Sequence, residues 1–106
     1  MKKNLKGIYA ATIVPLRKNK SIDISALSNH IKNIIKIDGI KGLLLNGHAG
    51  ENFTLNMNEQ IKVIEIAKKY KNLNKKLISG LNFEDPLLAS NVAKKMTKAG
   101  ADAILI

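Results

Sequence analysis

The sequence predicts an α/β fold in which four parallel strands are joined by three crossover helices in the order βαβαβαβ. Three observations carry the prediction. Short apolar runs rich in β-formers recur at a spacing of roughly 30 residues, the length of one βαβ unit. Between them lie stretches whose apolar residues fall three or four apart, as on one face of a helix. A glycine-bearing segment, Asn46 to Glu51, follows the second apolar run directly. The pattern by itself fits two architectures, a doubly wound sheet and part of a barrel.

The elements follow in order. Ile8 to Val14 reads as the first strand, ended by Pro15, which cannot continue a ladder. Arg17 to Lys20 is a polar loop. Asp23 is placed to cap a helix whose apolar stripe is Ile24, Leu27, Ile31, Ile34 and Ile35, with Asp38-Gly39 as its glycine C-cap. His30 lies beside that stripe as a half-exposed helix residue. Leu43 to Leu45 reads as a strand buried on both faces. Asn56 and Glu59 have the spacing of a capping box, and open a helix burying Ile61, Ile64, Ala67 and Tyr70, with Val63 and Ile66 flanking. Leu77 to Leu81 is the third strand. Glu84-Asp85-Pro86 opens a helix that buries Leu88, Val92 and Met96 and stops at Gly100, and Ala103 to Ile106 begins the fourth strand.

Composition narrows the function. A chain of 106 residues is one domain at most. It has no cysteine, which removes disulfides and thiolate metal sites and fits a reducing cytoplasm, where we place the protein. The net charge of +10 invites a nucleic-acid partner, but Arg17 is the single arginine among 18 basic residues and aromatics make up 4% of the chain. Base and phosphate recognition favours arginine forks and stacking surfaces, so the basic residues read as a solvated face and no nucleic acid is expected. No apolar run approaches the ~20 residues of a membrane span, and Lys2-Lys3 followed by Gly7 to Leu16 lacks the cleavage pattern of a signal peptide. His30 and His48 have no carboxylate at ligand spacing, so no metal is expected.

Gly47-His48-Ala49-Gly50-Glu51 stands where parallel α/β folds place ligands, beyond the carboxyl end of a strand. Paired glycines there let the backbone turn tightly and direct its N–H groups at an anion. This loop, Gly7 to Leu16, Ser21-Ile22-Asp23, Ile78-Ser79-Gly80 and Ala99 to Ala103 together resemble, in order and spacing, the N-terminal part of the dihydrodipicolinate synthase and N-acetylneuraminate lyase family. The resemblance covers essentially the whole chain and tips the architecture to the N-terminal part of a (β/α)8 TIM barrel. Residues 1–106 are then a partial TIM-barrel domain of three βα units and a fourth strand, short of the ~250 residues of a full barrel.

The resemblance implies a class I, Schiff-base-forming aldolase or lyase acting on pyruvate or a related 2-keto acid, without cofactor or metal. It implies that Gly47, His48, Ala49 and Gly50 hold the substrate carboxylate and that a full-length relative is a homo-oligomer. In the family the Schiff-base lysine comes from the sixth strand, and two tyrosines from the fifth strand and the segment after the fourth; all three would follow Ile106. Within the chain, no lysine stands at a strand's carboxyl end. Lys41, Lys75 and Lys76 begin strands and the remainder are on helices, loops or the N-terminal tail.

His48 replaces the family's first threonine or serine, and either relays a proton in its place or only shapes the pocket. Ala49 replaces the second threonine and keeps its amide but loses the hydroxyl. Val14 stands where many members have threonine before the proline. These departures favour a keto-acid aldolase, sugar-acid dehydratase or sialic-acid-type lyase over the lysine-pathway synthase. Glu51 is read as bracing the turn. A second reading is a non-catalytic remnant that binds a keto-acid anion or a partner chain. A third, a flavodoxin-like domain, lacks the glycine it needs after the first strand. The first and fourth strands are expected to be open edges through which the chain self-associates.

Overall fold

Four strands and three helices alternate along the chain: β1 (Ile8–Ala11), α1 (Ile24–Ile34), β2 (Ile40–Leu45), α2 (Met57–Tyr70), β3 (Lys76–Gly80), α3 (Pro86–Ala99) and β4 (Ala103–Leu105). They come from a computed structural model that describes residues 6–47, 50, 55–71, 74–81 and 85–105. All neighbouring strands are parallel and the sheet order is β1-β2-β3-β4. That order decides what sequence pattern left open. Successive right-handed crossovers between adjacent strands put every helix on the same side of the sheet, whereas a doubly wound sheet must reverse direction. Accordingly α1 packs on α2 and α2 on α3, in one row. This is the winding of a barrel wall.

The core lies between that row and one face of the sheet. Leu43, Leu45 and Leu77 from the strands meet Leu27, Ile31, Val63, Ile64, Ala67 and Met96 from the helices, all fully buried. Alternate strand residues point the other way. Ala11, Leu44, Ile78 and Ala103 pair across all four strands as one row on the opposite face, where no described element covers them. Ala11 is exposed and the other three are half-buried. Leu44 is therefore not enclosed as a strand buried on both faces would require.

Local signals account for most boundaries. Asp23 accepts a hydrogen bond from the Ala26 amide at 3.1 Å and starts α1. The Asn56–Glu59 capping box is complete, with reciprocal bonds of 2.9 and 2.8 Å. Asp85 caps α3 and Pro86 follows in its first turn. Gly100, at φ 136°, ends that helix by accepting a conformation that side chains resist.

Several boundaries and burials differ from the sequence reading. β1 stops at Ala11, three residues before Val14, where its register with β2 ends, and the Thr12 amide makes a further bond to β2, at the Leu44 carbonyl. The end of α1 comes at Ile34, with Ile35 as C-cap; Asp38-Gly39 belongs to the turn that follows, and Gly39 lacks the positive φ of a helix-ending glycine. On α2 the buried face is centred on Val63, Ile64, Ile66 and Ala67, while Ile61 and Tyr70 are only half-buried. Leu88 is 51% exposed, and the buried face of α3 is carried by Val92 and Met96. Ile106 lies outside the described residues.

Candidate functional site

The carboxyl end of the sheet gathers Thr12 after β1, Asn46, Gly47 and Gly50 after β2, and Ser79, Gly80 and Leu81 at the end of β3. Thr12 donates its amide to the Leu44 carbonyl at 3.0 Å, which holds the two strand ends side by side. The chain leaves β2 at Asn46, whose φ of 57° is left-handed. Asparagine is among the few side chains that tolerate this region. A turn follows, closed by a 3.1 Å hydrogen bond from the Gly50 amide to the Gly47 carbonyl.

Two glycines make this packing possible. A Cβ on Gly50 would lie 3.0 Å from the Thr12 carbonyl oxygen and 3.3 Å from the Asn46 nitrogen. A Cβ on Gly80 would meet the Asn46 carbonyl oxygen at 2.4 Å, so β3 can carry no side chain there. Backbone from three strands therefore converges on one small region.

Beneath it runs a buried polar network. The Asn46 carboxamide nitrogen donates to the Gln60 carbonyl of α2 at 3.1 Å and to Ser79 Oγ of β3 at 3.0 Å. Gln60 in turn donates its side-chain amide to the Leu55 carbonyl at 3.1 Å. Ser79 Oγ also lies 3.2 Å from the Gly80 carbonyl and 3.4 Å from Met96 Sδ. Among the described residues, two polar atoms of the region are buried without a partner, Thr12 Oγ1 and Asn46 Oδ1.

Of the residues expected at the site, Gly47 and Gly50 face each other across the turn. His48, Ala49 and Glu51 lie outside the described residues. The Gly50 N–H is engaged inside the turn, so this residue contributes through its missing side chain. Thr12 and Gln60 escaped sequence reading as site residues; the sequence places Asn46 and Ser79 at strand ends, but their bond is not legible there, since they are 33 positions apart and no local pattern links them.

The lysines are distributed as strand polarity dictates. Lys41 and Lys76 are half-buried at strand beginnings. Lys75 is buried there too, and its ammonium donates to the Ile37 carbonyl at 2.8 Å and to the Ile40 carbonyl. It is thus a tether between β3 and the α1–β2 connection, at the end of the sheet away from the glycine turn. At the same end Asp102 accepts from Lys71 Nζ at 2.7 Å and from the Leu77 amide at 2.8 Å. His30 is half-buried on α1. Among the described residues no three histidine, aspartate or glutamate side chains are grouped to hold a metal, and no helix is long and apolar enough to cross a membrane.

A singly wound parallel sheet, with a glycine turn and close-approach glycines at its carboxyl end, is the architecture of the N-terminal part of a TIM-barrel protein. The chain belongs to the dihydrodipicolinate synthetase family, whose model matches residues 4–106. It is similar to CdNal of Clostridium difficile, solved in complex with mannosamine, at 34% identity and TM-score 0.85, over 96% of this chain and 35% of that one. N-acetylneuraminate lyase of Fusobacterium nucleatum is similar at 31% identity and TM-score 0.82, over 94% of this chain and 34% of that one. Dihydrodipicolinate synthase of Aquifex aeolicus is similar at 29% identity and TM-score 0.82, over 94% and 33%. The chain spans about a third of the length of these solved relatives.

Proposed function

We propose that this chain supplies the keto-acid-holding part of a Schiff-base-forming, class I aldolase-type lyase that acts on pyruvate or a related 2-keto acid. The observation that carries the reading is the position of the Gly47–Gly50 turn: in a chain of this family, it closes on itself at the carboxyl end of β2. Family membership supports a lyase of this type, and the likeness to both a lyase and a synthase leaves the carbon skeleton of the second substrate to other segments.

In this reading the backbone N–H groups from Gly47 through Ala49 bind the substrate carboxylate, as anion-binding turns do. Gly50 closes the turn and lets it lie against β1. His48 is the candidate proton relay, with a titration range nearer neutrality than the hydroxyl it replaces. The nucleophilic amine must stand at the same end of a barrel, in a dry setting that keeps it neutral. Lys75, the one buried lysine among the described residues, is at the opposite end with its ammonium committed to two carbonyls, so in this reading the amine comes from strands outside residues 1–106. No metal or cofactor enters the scheme. We place the protein in the cytoplasm, and its full-length relatives' assembly state is proposed to be homo-oligomeric.

Borohydride reduction in the presence of pyruvate, applied to the protein as its own cell makes it, tests the reading. The expected result is one covalent adduct, mapped to a lysine outside residues 1–106. An adduct on any of the lysines between Lys2 and Lys98 would overturn the placement of the site, and no adduct at all would leave the non-catalytic reading.

A further inference from the structure

We propose that Asn46 is the positioning residue of the anion-binding turn and that it acts through its carboxamide. The proposal rests on the keto-acid reading above and adds a residue that the glycines do not account for. At φ 57° a glycine would adopt the same backbone with less strain, so the conformation alone gives no reason for an asparagine. The side chain supplies what glycine cannot. Both carboxamide hydrogens are used, one on the Gln60 carbonyl at 3.1 Å and one on Ser79 Oγ at 3.0 Å.

These bonds tie together the places between which the turn is strung. Asn46 is where the chain leaves β2. Gln60 lies in the first turns of α2, where the chain returns, and its own side chain holds the Leu55 carbonyl at 3.1 Å. Ser79 fixes the arrangement to β3, beside the glycine against which the Asn46 carbonyl is pressed. The clamp is dry: Asn46 is 1% exposed and Ser79 0%. In such a setting, removing the donor leaves Ser79 Oγ without the hydrogen it accepts and unties the end of β2 from the Gln60 carbonyl of α2, and the turn is then free to drift. A drift of an ångström at a group that orients substrate lowers its effectiveness up to about 100-fold.

Two substitutions separate the carboxamide from the backbone it sits on. Asn46→Gly keeps the left-handed conformation and deletes both hydrogen bonds; Ser79→Ala deletes one and leaves the conformation alone. The readout is the pyruvate concentration that gives half-maximal borohydride trapping, together with the plateau of trapping and the melting temperature. We expect Asn46→Gly to raise the half-saturating concentration about tenfold and Ser79→Ala about threefold, with the plateau unchanged, because the turn holds the carboxylate and not the amine.

A wild-type protein that traps pyruvate while Asn46→Gly traps it at the same concentrations would overturn the proposal, since only the backbone conformation would then matter. If Asn46→Gly loses its melting transition, Ser79→Ala decides by the same readout: a raised half-saturation supports the clamp and an unchanged one overturns it. Failure of the wild-type protein to trap pyruvate would remove the keto-acid reading and this inference with it, a result distinct from either variant's.

Discussion

Thr12 is 1% exposed, and its hydroxyl, like Asn46 Oδ1, is buried and finds no hydrogen-bond partner among the described residues. A buried polar group without a partner is unfavourable by about 1–3 kcal/mol, and an isosteric apolar side chain relieves it. Thr12→Val is therefore expected to stabilise the protein by about 1 kcal/mol in denaturant or thermal melts; a loss of stability would mean that the hydroxyl is held by water or ligand. Tyr9 has the same feature at the opposite end of the sheet. Its phenol oxygen is buried and unpartnered, and burial, with a smaller contribution from the Asp102 carboxylate, pushes its pKa above the ordinary 10.0. Between the unfolded and folded pKa values the native state holds more protons, so this group's stabilisation is complete below pH 10 and is lost as pH rises through the folded value. Tyr9→Phe should flatten the alkaline limb of the stability curve without lowering stability at pH 7. Neither group was legible in the sequence, where Thr12 and Tyr9 read as ordinary strand residues; only the third dimension shows which polar atoms are left alone.

The turn after β2 depends on a neighbouring element that sequence places far away. Gly80 lies on β3, yet the atom its absent side chain spares is the Asn46 carbonyl oxygen, 2.4 Å from where a Cβ would be. Backbone cannot yield as a flexible side chain does, so Gly80→Ala should destabilise by about 2–3 kcal/mol, read as a lower denaturant midpoint, and should weaken pyruvate trapping as well. Full stability in that variant would show that β2 and β3 are looser here than the contact implies. Elements whose signals are local were readable in advance. The Asn56–Glu59 capping box, the Asp85 cap with Pro86, and the Gly100 stop each depend on residues within four positions of one another. Gly39 and Leu88 misled for the converse reason: a glycine near a helix end and a leucine on a helical stripe acquire their roles only from what packs against them. In α1 the chain had already left the helix at Ile35, and Leu88 is left exposed while Val92 and Met96 form the buried face of α3.

At the scale of the whole molecule, the strand order and the single helical layer leave one sheet face and both edges without a described cover. Ile8 on β1 is 71% exposed and Leu105 on β4 is 54% exposed, and each edge presents unpaired backbone groups to any strand that approaches. The 106-residue chain produced alone is expected to sediment as a dimer or larger species at micromolar concentration; a sharp 11.6 kDa monomer boundary with cooperative melting would contradict this. The parallel βα alternation could be anticipated because its units repeat in sequence. The winding of a barrel wall could not be told from a doubly wound sheet by that pattern and rested on the family resemblance, because winding depends on which strands become neighbours. The reading of function rests on one end of that wall. Its most direct test is a crystal structure of the protein, as its own cell makes it, after reduction with borohydride in the presence of pyruvate. The account predicts the pyruvate carboxylate against the backbone amides of the Gly47–Gly50 turn, with the reduced bond to a lysine from outside residues 1–106. A carboxylate bound anywhere else on the barrel, with that turn empty, would contradict it.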